Sequence, residues 1–399
     1  MNAQNLPANP NNQSLRQGTR ISDFTIIKKL GDGAYSSVFK VRRKDDNDIY
    51  ALKNVKMLSL SDKEKENALN EVRILASIDH PNVIAYRDAF IDESTSSLCL
   101  VMEYADNGDV FQKICNYQKR QTYIKEKKIW YVFIQIVRGL RAFHVRRILH
   151  RDMKSANLFL FKDMQAKLGD LNVSKIVKKG LSYTQTGTPY YASPEVWRDQ
   201  PYDSKSDIWS LGCVLYEMCA LVPPFRADDM QGLYKKVIKG KFPRIPDHFS
   251  QEMATVIKFM LQISPSYRPS CDQILNLPIV QALSKKFFPA ELNSELENDD
   301  QQSLLRTIRI SRNLFSLTER LPKSKYRGRS NDLPRNNSVD SHNARSIQHA
   351  ITLSGSANNI NNKLKAMGVN SQMDMQDSMD GDRSPGKFSR FDAPHDFLK

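Results

Sequence analysis

One short stretch, His150-Arg151-Asp152-Met153-Lys154-Ser155-Ala156-Asn157, packs a carboxylate, an ammonium and a carboxamide into consecutive positions. Those groups suit phosphoryl transfer. Asp152 can accept a proton from an attacking hydroxyl, and Lys154 can neutralise charge on a moving phosphoryl group. The side-chain oxygen of Asn157 can bind a hard cation such as Mg2+. A charged loop after an amphipathic helix is ordinarily a solvated turn, so the chemistry depends on partners elsewhere in the chain.

Three further groups supply them, in order. Leu30-Gly31-Asp32-Gly33-Ala34-Tyr35-Ser36-Ser37-Val38 falls at a strand-turn-strand junction, where glycine lets backbone amides approach phosphate oxygens closely. By itself a glycine pair is as readily a hairpin turn. In Tyr50-Ala51-Leu52-Lys53 a lysine sits among apolar neighbours, either as an edge solubiliser or as a contact to α- and β-phosphates. Glu71, mid-helix beside Val72 and Leu75, is the candidate carboxylate to orient Lys53; Glu64 and Glu66 fall in the first turn, where they suit capping and the helix dipole. Downstream, Lys167-Leu168-Gly169-Asp170-Leu171-Asn172-Val173 sets an acid at the end of a short strand. Asp170 and Asn157 together offer oxygen ligands to a Mg2+ bridging the phosphates.

Positioning these groups requires a recognisable set of elements. Residues 24–30, 37–42 and 49–55 read as short strands separated by Gly31-Asp32-Gly33 and Asp45-Asp46-Asn47-Asp48, an antiparallel meander. The spacing predicts a helix over 62–77, because Ser61 and Glu64 form a capping box and Ala68, Val72 and Leu75 share a face. Strands over 83–91 and 98–103 complete a five-stranded sheet. Beyond Tyr104-Ala105-Asp106-Asn107-Gly108 the pattern turns helical: Ile129, Val132, Phe133, Ile136, Leu140 and Phe143 repeat at helical spacing and lead into the His150 loop. Short strands are predicted at 158–161 and 166–168, and further helices at 206–220, 230–239, 250–261 and 271–275. The fold class is α+β: a small antiparallel five-stranded β lobe with one helix, a larger mainly helical lobe, and a tail.

Composition bounds the rest. The 399 residues carry a formal charge of +15, almost all of it before residue 289. No motif that reads RNA or DNA accompanies that charge, so a nucleotide or an acidic partner is the more economical reading and no specific nucleic acid is expected. Five widely spaced cysteines without a Cys-x-x-Cys pair point to reduced thiols inside a cell. The Asn-rich start is unlike a signal peptide, and the most apolar run, 208–222, is interrupted by Glu217, so no membrane span is expected. After about residue 290 apolar residues thin out, as in chains that cannot bury enough surface to offset their ordering entropy.

Taken together, Gly31-x-Gly33, Lys53, Glu71, His150-Arg151-Asp152, Asn157, Asp170, Ser193-Pro194-Glu195 and Asp207 in Ser206-Asp207-Ile208-Trp209-Ser210-Leu211-Gly212 resemble the eukaryotic protein kinase signature set, in order, over residues 24–288. Lys154 resembles the Ser/Thr class. The runs Ala68-Leu69-Asn70-Glu71-Val72-Arg73-Ile74-Leu75, Gly187-Thr188-Pro189-Tyr190-Tyr191-Ala192-Ser193-Pro194-Glu195 and Lys239-Gly240-Lys241-Phe242-Pro243 look like the NIMA-related kinases, and the wording from Asp170 to Lys175 is similar to protist members.

The resemblance implies a two-lobed protein kinase fold. Its expected boundaries are a disordered lead at 1–22, a kinase domain at 23–288 (N-lobe 23–103, C-lobe 109–288) and a mostly disordered tail at 289–399. It implies ATP and Mg2+ as cofactors and protein substrates with Ser or Thr acceptors. It implies an ATP site formed by Leu30, Gly31, Asp32, Gly33, Val38, Ala51, Lys53, Met102, Glu103, Ala105 and Asp109, with the backbone of Glu103 and Ala105 meeting the base and Asp109 the ribose. Thr184, then Ser182 and Thr186, are the candidate regulatory phosphosites, with Arg151 as phosphate partner, and Glu195 and Arg268 the candidate structural ion pair. Val173 implies a threonine preference. A cytoplasmic location with cell-cycle, microtubule or ciliary roles follows from the same resemblance alone.

Three features depart from the pattern or stand outside it. The usual Asp-Phe-Gly is Asp170-Leu171-Asn172, and Ser36 replaces a third glycine; Asn tolerates positive φ better than most residues. These changes motivate the competing class, a pseudokinase scaffold that binds nucleotide without turnover. In the tail, residues 302–326 are similar to a segment after some NIMA-related kinase domains and are either a docking segment for a partner or a solvated basic linker. Ser384-Pro385 is either a phosphosite or ordinary linker.

Overall fold

The structure, a computed structural model, describes residues 19–33, 35–169, 189–289 and 321–326. Strands β1 (Phe24–Asp32), β2 (Ser36–Arg43), β3 (Ile49–Lys56), β4 (Tyr86–Asp92) and β5 (Ser97–Glu103) form one antiparallel sheet in the order β1-β2-β3-β5-β4. Helix α1 (Asp62–Ser77) connects β3 to β4 and packs on β4. Its N-terminus follows from local chemistry. The Ser61 hydroxyl accepts from the Glu64 amide, and the Glu64 carboxylate accepts from the Ser61 amide at 2.9 Å. Leu69, Val72 and Leu75 turn the apolar face of α1 inward.

The second lobe is mainly helical: α2 (Val110–Lys119), α3 (Glu126–Val145), a hairpin of β6 (Leu158–Leu160) and β7 (Ala166–Leu168), then α4 (Pro194–Trp197), α5 (Ser204–Ala220), α6 (Met230–Lys239), α7 (Gln251–Met260), α8 (Cys271–Leu275) and α9 (Pro278–Phe287). Helix α3 is its axis. Ile129, Phe133, Ile136, Leu140 and Phe143 are all buried on it, each contributing about 1.5–3 kcal/mol by removal from water. A methyl group on Gly139 of α3 would run into the Asn82 carbonyl, so α3 lies directly beneath the chain entering the sheet.

That contact explains where the fourth strand begins. The apolar run 83–91 reads as continuous strand, yet β4 starts only at Tyr86. The Ile84 amide donates to the Leu168 carbonyl at 2.7 Å and the Leu168 amide to the Asn82 carbonyl at 2.9 Å, so β7 of the large lobe takes residues 82–84 as its own partner. The small lobe also reaches further toward the N-terminus than 23: residues Ile21–Asp23 form a 3-10 turn, and the Thr19 hydroxyl donates to Asp88 at 2.6 Å.

All five cysteines are free; Cys99, Cys213, Cys219 and Cys271 are buried and Cys115 is half-buried. Among the described residues no helix is long and apolar enough to cross a membrane. Residues 321–326, expected to be solvated linker or to engage a separate partner, lie against the small lobe of this same chain. The Tyr86 hydroxyl donates to the Pro322 carbonyl at 2.8 Å, a contact between positions 236 apart that local sequence cannot announce.

Candidate active site

The Gly-rich segment is a hairpin. Gly31 pairs with Val38 and Asp32 with Ser37, and the Gly33 amide donates to the Ser36 carbonyl at 2.6 Å, closing the turn. A Cβ on Gly33 would press on the Ser36 hydroxyl, whereas one on Gly31 would meet nothing within 4 Å. Packing therefore does not require glycine at 31, and the backbone there is left open. Leu30 is exposed at the mouth, and the Asp32 carboxylate pairs with Lys29 at 2.7 Å.

Strand register sets the next layer. Lys53 lies between Val38 on β2 and Leu100 on β5, and Ala51 is opposite Met102. The Lys53 ammonium donates to Glu71 Oε1 at 3.0 Å, with both side chains mostly buried. The carboxylate expected from sequence is the one that meets the lysine.

At the junction of the lobes the Glu103 amide donates to Ala85 O at 3.0 Å, while its carboxylate accepts from Lys167 Nζ at 2.7 and 2.9 Å and from the Ala85 amide at 2.7 Å. This clasp joins the connector to β7. Sequence reasoning missed it, although a lysine between two apolar residues of a three-residue strand was a signal. Asp109, expected at the ribose, caps α2 by accepting from the Gln112 amide at 2.8 Å and from Gln112 Nε2 at 2.6 Å. Burial pushes its carboxyl above the ordinary value. Gly108, just before it, has φ +72°.

The loop 150–157 is held from below by one carboxylate. Asp207, fully buried on α5, accepts the His150 and Arg151 amides at 3.0 Å each and His144 Nε2 at 2.9 Å, and the Tyr202 hydroxyl at 2.5 Å. Burial works against its ionisation, but the hydrogen bond and charge of His144 prevail and its carboxyl sits below the ordinary value. These bonds keep Arg151 at φ +66°, a conformation that costs a non-glycine residue about 1 kcal/mol or more. The buried His150 ring reaches the Gly169 carbonyl at 3.2 Å, tying the loop to the end of β7.

Above that floor the three functional groups converge. Asp152 Oδ2 accepts from Lys154 Nζ at 3.0 Å and from Asn157 Nδ2 at 3.0 Å; the same Nδ2 also donates to the Asp152 carbonyl at 2.8 Å. With its nitrogen so engaged, Asn157 has its oxygen, a Mg2+-type donor, as the end not committed to Asp152. The Asn157 carbonyl accepts the Gly169 amide at 3.1 Å, so the residue preceding Asp170 lies beside the Asn157 backbone. Asp170 itself, with Val173, Ser182, Thr184 and Thr186, lies outside the described residues.

Two buried supports flank the loop. Glu195 and Arg268, the ion pair that the resemblance implies, make two bonds at 2.6 and 2.7 Å, both side chains almost fully buried. The Ser155 hydroxyl meets Tyr191 Oη at 3.0 Å, and Tyr191 donates to Glu217 at 2.9 Å. Burial pushes Glu217 up to about 7, the hydrogen bonds from Tyr191 and Ser155 offsetting it only in part. The folded state therefore holds this proton more tightly than the unfolded chain, whose value is near 4.5. Stability should fall as pH rises from 4.5 to 7 and be flat above, a loss of about 3 kcal/mol. Glu217→Gln should flatten that limb in urea titrations at pH 5 and pH 8; equal slopes in both proteins would contradict it.

Comparison with known proteins agrees with this geometry. The protein kinase domain model matches residues 24–280. The human serine/threonine-protein kinase Nek2 is 39% identical over 272 residues, covering 66% of this chain and 61% of that protein. Mouse Nek1 is 38% identical over 274 residues, 68% of this chain and 22% of its own length. A probable serine/threonine-protein kinase nek2 of Dictyostelium discoideum is 36% identical over 264 residues, 65% of this chain and 63% of its own. The match thus spans less than two thirds of each relative. The chain belongs to the protein kinase domain family, and its domain is similar to those of the Nek kinases.

Proposed function

We propose that the chain is an ATP- and Mg2+-dependent protein serine/threonine kinase of NIMA-related type, transferring the γ-phosphoryl group to Ser or Thr hydroxyls of protein substrates. The observation that carries this reading is the convergence of Asp152, Lys154 and Asn157 in one loop braced by Asp207, together with the Lys53–Glu71 pair of the small lobe. The scaffold alternative fits less well, because a chain that only bound nucleotide would not need a base and a cation 3.0 Å apart at the acceptor side.

Lys53, held by Glu71, positions the α- and β-phosphates of ATP over the open backbone at Gly31. Leu30, Asp32, Gly33, Val38 and Ala51 line the rest of the phosphate and base surface. Met102 stands at the back of the adenine site, the backbone of Glu103 and Ala105 faces the base, and Asp109 faces the ribose. Asn157 and Asp170 would hold Mg2+, which when bound would supply charge neutralisation for the phosphates. Asp152 orients the acceptor hydroxyl and takes its proton, and Lys154 meets the γ-phosphoryl group as it moves. Catalysis is then chiefly positioning and electrostatic stabilisation.

Thr184 is the proposed regulatory phosphosite, with Ser182 and Thr186 behind it. Arg151 supplies the cation, half-buried beside Tyr202. Full activity of Thr184→Ala would remove that proposal. By resemblance alone, the protein acts in the cytoplasm on cytoskeletal or ciliary structures. The reading is tested by label transfer from γ-labelled ATP to Ser/Thr peptides, with and without Mg2+. Equal incorporation by the wild-type chain and Asp152→Asn would sink it.

A further inference from the structure

We propose that residues 321–326 are an intramolecular docking segment that clamps the last turn of α1 to β3 and β4, and thereby holds Glu71 against Lys53. The segment adds to the sheet where the sheet is open. In the order β1-β2-β3-β5-β4, strand β4 is an edge, and its Arg87 carbonyl accepts the Lys325 amide at 2.6 Å. A backbone bond from an extended peptide to an exposed edge is the elementary step of strand addition.

Its side chains then grip three elements at once. The Lys325 ammonium donates to the Ala76 carbonyl at 2.7 Å, in the last turn of α1, where unsatisfied carbonyls and the helix dipole favour a cation. The Tyr326 ring meets Tyr50 of β3 edge-on, centroids 5.5 Å apart, and Arg43 of β2 lies 3.6 Å above its face. Leu321 packs against the main core.

The receiving surface is built for this ring. Asp45 and Asp46 each hold the Arg43 guanidinium at 2.8 Å, and Tyr50 donates to Asp46 at 2.9 Å, so the cation is fixed flat before the tyrosine arrives. The Tyr326 hydroxyl is buried beside the Asp88 carboxylate, which also accepts from the Thr19 hydroxyl, so both the ring and its polar tip face the small lobe.

The occupant is this chain's own segment. Between Pro289 and Leu321 lie 31 residues, a length that can span about 100 Å when extended, so no second copy is required. Ala76 and Glu71 share α1, and Tyr50 and Lys53 share β3. A clamp across these elements therefore acts on the pair that positions the nucleotide, giving the tail a role that the catalytic loop alone does not reveal.

The effect on activity rests on the kinase reading; the effect on local opening does not, and both are measured. In the full chain, Lys325→Ala combined with Tyr326→Ala should raise amide exchange in β4 and the last turn of α1 about tenfold, with α3 unchanged. It should also raise KM for ATP several-fold. Tyr326→Phe, which keeps the ring on Tyr50 and Arg43, should retain most of the protection, and a peptide of residues 318–330 should restore protection to the double variant. Unchanged exchange in β4 and α1 would overturn the clamp. Protection that grows with protein concentration, together with a doubled mass in solution, would move the segment to a second copy and overturn the intramolecular arrangement. Altered exchange in a chain without phosphoryl transfer would keep the clamp and discard only its catalytic consequence.

Discussion

Asp152→Asn is expected to lower kcat by about 10²–10⁴-fold, the usual worth of a positioned general base, while leaving nucleotide affinity nearly unchanged. The separation follows from the contacts. An asparagine oxygen can still accept from Asn157 Nδ2, so the hydrogen bond that orients Asn157 survives, and the loop remains seated on Asp207 through the His150 and Arg151 amides. What is lost is the proposed acceptor for the substrate proton and the charge that holds Lys154 at 3.0 Å. Steady-state rates against peptide, with ATP affinity measured by calorimetry, check this. A variant with wild-type kcat would remove Asp152 from the chemistry, and one that loses nucleotide affinity in proportion would make its role structural.

The second large effect is on stability. Arg268→Ala should destabilise the domain by about 3–5 kcal/mol, because it strands a buried carboxylate. Arg268 makes more than the two bonds to Glu195. Its guanidinium also donates to the carbonyls of Gln262, Lys205 and Ile263 at 2.7, 2.8 and 3.0 Å, so one truncation unsatisfies several buried acceptors. Burial acts to raise the Glu195 carboxyl, but the Arg268 hydrogen bond and charge overcome it and hold it below its ordinary value. A depressed carboxyl contributes stability above pH 4.5 that fades as pH falls through the folded value. In Arg268→Ala that acid limb should vanish, and Glu195→Leu combined with Arg268→Met should be less damaging than Arg268→Ala alone. Urea unfolding across pH reads both. A loss below about 1 kcal/mol would show that the pair contributes little to holding α4 on the helical lobe.

How much of this was legible beforehand depends on the range of the interactions. Helix α1 matches the predicted 62–77 because its start is written in the Ser61 and Glu64 side chains and its face in Val72 and Leu75, although Leu69 rather than the expected Ala68 is the buried residue of the preceding turn. The Lys53–Glu71 pair was legible because a strand lysine with apolar neighbours needs a carboxylate and Glu71 is the inward one. The start of β4 was not. Its apolar residues satisfy a strand pattern, but β7, more than eighty residues later, captures 82–84. The Glu103–Lys167 clasp and the docking of Tyr326 on Tyr50 and Arg43 failed to announce themselves for the same reason. Each joins residues whose individual types are ordinary, and only the folded chain makes them neighbours. Asp207 shows the converse: its place in the signature run was readable, but its four bonding partners were not.

The distribution of the five thiols gives the protein a built-in spectroscopic handle. Four are sealed in the interior, and burial also lifts the remaining half-buried one, Cys115 on α2, above the ordinary thiol value. A maleimide dye applied to the native chain at mildly alkaline pH should therefore enter slowly and at a single position. Because α2 begins at the Asp109 cap, a fluorophore on Cys115 would sit on the helix that starts beside the proposed ribose site, and its emission would report nucleotide arrival without a single engineered cysteine.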